Sequence, residues 1–143
     1  MNKFAKVISS GSYLPERILT NKELESMVDT SDEWITERTG IKERRVASDD
    51  ETSVDMAYEA SIDAIQKSGI NKDEIGAIFL ATCTPERKFP STAVLLQNKL
   101  NIKNAFSVDM NAACTGFIYA LDVAKKYIES SQFKYALVVG TEK

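Results

Sequence analysis

From Ala77 to Thr82 the chain reads Ala-Ile-Phe-Leu-Ala-Thr, an apolar run of strand length with no polar residue until its last position. A strand with one face in water alternates apolar and polar side chains, so a run without alternation needs cover on both faces. The chain must therefore supply helices to both sides of a sheet. Tyr135 to Val139 repeats the pattern, and Ala105 to Met110 reads as a further strand. Phe4 to Ser10 reads as a first strand, ended by the Gly11-Ser12-Tyr13-Leu14-Pro15 turn.

Helical signals fill the intervals. Thr20-Asn21-Lys22-Glu23 is a capping-box pattern that opens a short helix through Val28. Thr30-Ser31-Asp32-Glu33 is a second, opening a helix that carries Trp34 and stops near Gly40. Thr52-Ser53-Val54-Asp55 starts a longer helix with Val54, Ala57, Ser61, Ala64 and Ile65 on one face, ended by Gly69. Ser91 caps a helix through Leu100. Thr115 to Ser130 is the last helix, with Phe117, Ala120, Leu121, Ala124 and Ile128 on its apolar side. The order β-α-α-α-β-α-β-α-β implies an α/β protein with a largely parallel sheet and crossover helices.

A chain of 143 residues is one domain or a piece of a larger one. Its net charge of −3 gives no reason to expect a nucleic-acid partner. Its apolar runs fall far short of the roughly 20 residues that span a bilayer, so no membrane partner is expected. Val7-Ile8 is followed at once by Ser9-Ser10-Gly11, which is no signal-peptide core, and a cytoplasmic location is expected. In that reducing compartment the two cysteines, Cys83 and Cys114, are free thiols. The chain has no histidine, which removes His-containing zinc sites and any Ser-His or Cys-His pair made wholly within it. No metal site is expected, and no GxGxxG or P-loop is present. The sequence stops at Gly140-Thr141-Glu142-Lys143, just beyond a strand. This reads as the N-terminal portion of a longer polypeptide.

Three features could carry chemistry. In Asn111-Ala112-Ala113-Cys114-Thr115-Gly116-Phe117 a strand ends and a helix begins with a cysteine at the junction. Small neighbours let other groups approach the sulfur, and the N–H groups of the helix start favour a thiolate or an oxyanion there. A nucleophile and a small residue packing a tight turn both fit this spacing. Cys83, without small neighbours or a following helix, reads as core packing. Trp34 and Arg38 stand at i and i+4 on one short helix. An indole and a guanidinium can hold a flat aromatic ligand, and Lys42, Arg44 and Arg45 add a basic patch suited to phosphates. On composition alone, a structural tryptophan beside a solvated charge run is the favoured reading. Phe89, in a loop with Glu86, Arg87 and Lys88, is either an anchor into the core or a contact to a partner chain.

These stretches, in this order, resemble bacterial β-ketoacyl-acyl-carrier-protein synthase III, a condensing enzyme of the thiolase-like superfamily. The likeness runs through Gly11-Ser12-Tyr13-Leu14-Pro15, Asp29-Thr30-Ser31-Asp32-Glu33-Trp34-Ile35 and Arg38-Thr39-Gly40-Ile41-Lys42-Glu43-Arg44. It continues through Phe89-Pro90-Ser91-Thr92-Ala93, the Asn111 to Phe117 junction and Leu137-Val138-Val139-Gly140. The resemblance implies a thiolase-like fold of which this chain, residues 1–143, is the N-terminal portion. It forms an incomplete first β-α-β half, with a mostly parallel mixed sheet covered by helices. It also implies an acyltransferase that starts type II fatty-acid synthesis. A short acyl-CoA, usually acetyl-CoA, gives its acyl group to Cys114. Malonyl-acyl carrier protein then loses CO₂ and its carbanion attacks the acyl-enzyme. Coenzyme A enters as a thioester substrate, and no cofactor is implied. Trp34 and Arg38 would hold its adenine, with Thr30 close to the base. Phe89 would reach across a homodimer interface to the neighbour's acyl pocket.

The resemblance also sets a limit. The family's catalytic His and Asn match nothing within these 143 residues, so the chain alone is expected not to condense. Two alternatives stand beside this reading. One is another thiolase-like synthase, of the hydroxymethylglutaryl-CoA or the polyketide or quinolone type. The other is a non-catalytic truncated or partner-binding fragment.

Overall fold

The computed structural model describes residues 4–143. They form two compact units, one of residues 14–51 and one of residues 4–13 with 52–143.

In the smaller unit, β1 (Arg17–Thr20) pairs antiparallel with β2 (Glu43–Val46), in a register from Arg17↔Val46 to Thr20↔Glu43. Two short helices lie between them, α1 (Asn21–Glu25) and α2 (Asp32–Thr39). The Thr20 capping box forms as expected: the Thr20 hydroxyl accepts from the Glu23 N–H, and the Glu23 carboxylate accepts from the Thr20 N–H at 2.9 Å. The helix stops at Glu25 rather than Val28, because the Ser26 hydroxyl donates to the Glu23 carbonyl at 2.6 Å and the chain turns. The second cap is Ser31, not Thr30, accepting from the Trp34 N–H at 3.1 Å without a reciprocal partner. Gly40 ends α2 at φ 72°, where a side chain would be strained.

Asn21 ties this unit together. It is buried, and its amide nitrogen donates to Asp32 Oδ1 at 2.7 Å and to the Ile41 carbonyl at 2.7 Å. Its amide oxygen accepts from Arg44 Nη1 at 2.8 Å. The Asn21 amide, with the Thr36 hydroxyl, holds the Asp32 carboxyl below its ordinary range. The pair β1/β2 itself escaped the sequence reading, because Glu43-Arg44-Arg45-Val46 carries no apolar alternation and reads as a charge run.

The larger unit holds a three-stranded parallel sheet in the order β4-β3-β5, from β3 (Ile75–Ala81), β4 (Phe106–Met110) and β5 (Tyr135–Gly140). The register sets Ala81 beside both Met110 and Gly140. Helices α3 (Ser53–Ser68) and α4 (Thr92–Lys99) cover one face and α5 (Gly116–Glu129) the other. The two-residue period of β3 divides its side chains between them. Ile78 and Leu80 join Ala57, Ala93 and Leu96, while Ala77 and Phe79 join Ala120 and Ala124. The cover expected on both faces of β3 is thus present. β5 is only half-buried, and β4 is an edge with a partner on one side among the described residues. The sheet is wholly parallel, and the antiparallel pairing belongs to the smaller unit.

Two further expectations fail. Residues 4–10 are not a strand: no described strand offers their backbone a ladder, and Phe4 and Val7 are exposed. The segment lies along α3 instead, with the Ser9 hydroxyl donating to the Ala64 carbonyl at 2.8 Å and the Ser12 N–H to Asp63 Oδ2 at 3.1 Å. Gly11 permits this approach, since a Cβ there would collide with the Ala60 carbonyl and the Ala64 amide. Phe117 is exposed rather than core-facing; the buried stripe of α5 is Gly116, Ala120 and Ala124.

Two predictions follow from these anchors. Asn21→Leu leaves the Asp32 and Arg44 side chains without their partner, and urea unfolding of the smaller unit, followed by Trp34 fluorescence, will show a loss of about 2 kcal/mol. Asp55 on α3 is ion-paired with Lys99 on α4, which with the Thr52 cap lowers its pKa from 3.8 to about 2. An acid with a lowered folded-state pKa adds stability above its unfolded value, and that contribution is lost as the pH falls through the folded one. Acid titration of the folded state will therefore show a steeper loss between pH 3.8 and about 2 in wild type than in Asp55→Asn.

Candidate functional site

Parallel strands deliver their C-terminal ends to one edge of a sheet, the usual place for a site in an open α/β fold. Here β3 runs into Thr82-Cys83-Thr84, β4 into Asn111 and the Cys114 turn, and β5 into Thr141-Glu142. Beyond Met110 the backbone bends sharply. Ala112 sits at φ −147°, ψ 33°, and Ala113 takes the left-handed φ of 47°. A single 3₁₀ turn, Ala113–Thr115, then leads into α5. Gly116 is buried, and a Cβ on it would lie 3.2 Å from Ala81 Cβ, so its small size seats the helix start against β3.

Cys114 is exposed on that turn, directly before α5. No side chain caps the helix, for the Thr115 hydroxyl is turned to the Ala112 carbonyl at 2.7 Å. The Thr115 and Gly116 N–H groups are taken by the Ala112 and Ala113 carbonyls of the 3₁₀ turn, so what the start of α5 offers a negative charge beside the thiol is the positive end of its dipole. Cys114 is not buried within this chain.

Cys83 is a correction as well. It is exposed rather than core. Its thiol donates to Asn111 Oδ1 at 3.2 Å, and its N–H is shared between the two carboxylate oxygens of Glu142 at 2.9 and 3.1 Å. Strand-end position implied burial, but β3 leaves its two covering layers at Thr82.

Phe89 projects into solvent, 88% exposed, so it is no anchor into the core of this chain. The end of its loop is fixed by Asp109 of β4, whose oxygens accept from the Thr92 N–H at 2.8 Å and the Ala93 N–H at 2.6 Å, both at the start of α4. Asp109 and Glu142 were missed from sequence. The available signal was a carboxylate inside the apolar run Phe106-Ser-Val-Asp-Met110. A cleft of about 430 Å³ runs from Asn111 and Ala112 along the open edge of β4, walled by Phe106, Val108, Tyr119 and Tyr127.

In the smaller unit, the Arg38 guanidinium lies over the Trp34 ring, 5.1 Å from its centroid, and Trp34 is 54% exposed. Thr30 is half-buried, one residue before the cap of α2. Much of the expected basic patch is engaged elsewhere. Arg44 holds Asn21, while Arg45 donates to the Pro15 carbonyl at 3.1 Å and lies 3.9 Å from Glu43. Among the described residues no group of three or more Cys, Asp or Glu side chains could hold a metal ion, and no helix is long and apolar enough to cross a membrane.

Known proteins share this arrangement. Residues 108–143, which contain the Cys114 turn, match the family model described as 3-oxoacyl-[acyl-carrier-protein (ACP)] synthase III. A β-ketoacyl-[acyl-carrier-protein] synthase III of Escherichia coli O9:H4 is 52% identical over 139 residues, 97% of this chain and 44% of the relative. The crystal structure of 3-oxoacyl-[acyl-carrier-protein] synthase III from Aquifex aeolicus superposes with a TM-score of 0.93 at 51% identity, covering 96% of this chain and 44% of that one. The priming β-ketosynthase of the R1128 polyketide biosynthetic pathway superposes with a TM-score of 0.95 at 38% identity, over 99% of this chain and 42% of that one. The chain thus spans less than half the length of the proteins it matches, and its fold is thiolase-like. Over this span, sequence and fold both match β-ketoacyl-[acyl-carrier-protein] synthase III proteins.

Proposed function

We propose that this chain supplies the nucleophile half of a condensing enzyme that joins a short acyl group to malonyl-acyl carrier protein. The observation that carries this reading is Cys114, exposed on a sheet-to-helix turn at an uncapped helix start. The Cys114 sulfur attacks the thioester carbonyl of acetyl-CoA or another short acyl-CoA. Negative charge grows on the carbonyl oxygen, near the positive end of the α5 dipole. The carbon–sulfur bond to coenzyme A breaks, its thiolate leaves, and the acyl group remains on Cys114. Malonyl-acyl carrier protein then loses CO₂, and the electron pair of the broken bond attacks the acyl carbon, freeing Cys114. Groups that stabilise that carbanion are not supplied by a histidine of this chain, which has none. On this reading residues 1–143 are the N-terminal portion of the fold and do not condense alone.

Trp34, Arg38 and Thr30 are assigned to the adenine of coenzyme A. A flat ring between indole and guanidinium needs two contacts of about 3.5 Å, or about 7 Å in all. Arg38 sits 5.1 Å from the indole centroid, so it must lift as the base enters. The open β4 edge, the apolar cleft beside it and the exposed Phe89 support a homodimer in which Phe89 meets the neighbour's acyl pocket. A cytoplasmic location is part of this reading, and the net charge of −3 suits an enzyme without a nucleic-acid partner. A priming ketosynthase of a polyketide pathway is the second reading, supported by the superposition on the R1128 enzyme.

The full-length protein incubated with acetyl-CoA will gain one acetyl group on the peptide carrying Cys114 by mass spectrometry, and Cys114→Ala will gain none. Acylation by longer or branched acyl-CoAs alone would favour the polyketide reading. Arg38→Ala and Trp34→Ala will each raise KM for acetyl-CoA roughly tenfold with little change in kcat. Acetyl-pantetheine, which lacks the adenine, will react equally with all three proteins; a matching loss there would remove the base-binding role.

A further inference from the structure

The loop that follows β3 is held unusually firmly for an exposed segment. Glu142, just beyond β5, accepts from the Cys83 N–H at 2.9 and 3.1 Å, from the Thr84 hydroxyl at 2.7 Å and from the Thr82 hydroxyl at 3.4 Å. A carboxylate only accepts, so these donors on one group fix the loop's direction. From the other side the Ser53 hydroxyl of α3 donates to the Thr84 carbonyl at 2.9 Å. The Thr82 N–H extends the β3–β4 ladder by one bond, to the Met110 carbonyl at 3.2 Å.

On this loop the Cys83 thiol donates to Asn111 Oδ1 at 3.2 Å. Asn111 is the first residue past β4 and stands three before Cys114. Between them Ala113 is held at φ 47°, a conformation an L-residue keeps only when its surroundings dictate it. The α5 side of the turn is fixed by Gly116 against Ala81. The β4 side has the Asn111 side chain as its anchor, and that anchor ends on Cys83.

We propose that Glu142 and Cys83 are positioning residues for Cys114: Glu142 fixes the Thr82–Thr84 loop, and the Cys83 thiol on that loop holds Asn111 at the base of the nucleophile turn. Cys83 is thus a donor, not a second nucleophile. The inference rests on reading Cys114 as the nucleophile, and its test separates the two.

The full-length protein is compared with Cys83→Ala, Cys83→Ser, Glu142→Ala and the Cys83→Ala/Glu142→Ala double variant. Amide hydrogen exchange is followed at residues 112–116, and kcat and KM are measured for acetyl transfer to Cys114. Losing one hydrogen bond predicts about fivefold faster exchange and about fivefold lower kcat in Cys83→Ala, with KM unchanged. Cys83→Ser, which keeps a donor, returns both to within about twofold of wild type. The double variant is no worse than the poorer single one, because both residues act through the same anchor. Unchanged exchange in Cys83→Ala, or failure of Cys83→Ser to rescue, overturns the proposal. Faster exchange with wild-type kcat also overturns it, leaving a structural contact only. If Glu142→Ala does not fold, the Cys83 pair with Glu142→Gln decides. If wild-type Cys114 takes no acetyl group, the acyl-transfer reading falls, and exchange with its serine rescue still upholds or overturns the anchor.

Discussion

Strand β3 is hydrogen-bonded on both sides and covered on both faces, and the rest of the larger unit is arranged around that demand. Its side chains from Ala77 to Leu80 are wholly out of water. A strand in that position cannot reach water with any backbone group, so β4 and β5 must both pair with it in register. Its two faces need α3 and α4 on one side and α5 on the other. Parallel pairing then obliges each connection to cross over, which carries every strand's end to the same edge. The Cys114 turn, the Cys83 loop and Glu142 meet because the sheet is parallel.

The chemistry at that edge depends on small residues as much as on reactive ones. Gly116 lets α5 begin against β3, and Ala112 and Ala113 let the chain turn without walling off the sulfur. A larger residue at 116 would press on Ala81 and move the helix start away from β3. In the smaller unit one buried amide, Asn21, plays the organising part that β3 plays in the larger. That unit has little apolar core, with Ile35 its buried hydrophobic residue among those described.

The elements whose partners lie nearby were legible from the residues. Thr52, Ser91 and Gly69 mark helix ends by local chemistry, and each does so in the structure. The run at Ala77 to Thr82 demanded double cover and received it. Residues 4–10 misled because strand pattern describes one chain, while a strand needs two; no described strand pairs with them. The β1–β2 pair was hidden for the opposite reason, since β1 is only four residues long and β2 is a charge run, so their pairing comes from geometry rather than from apolar alternation. Among the candidate residues, the Cys114 junction in the larger unit and the Trp34–Arg38 pair in the smaller one were each legible by local spacing. Asp109 and Glu142 were not, because their partners stand 16 or more residues away in sequence.

The loop from Cys83 to Ser91 is moored at both ends to β4 and the turn that follows it, by Cys83 to Asn111 and by the first amides of α4 to Asp109. A third tie, from the Val54 N–H to the Glu86 carboxylate at 2.8 Å, stops short of its tip. Arg87, Lys88 and Phe89, at the tip, lie beyond these ties and are exposed. A loop held at both ends and untied at its tip lets these three side chains reach outward without pulling on the strands that anchor it.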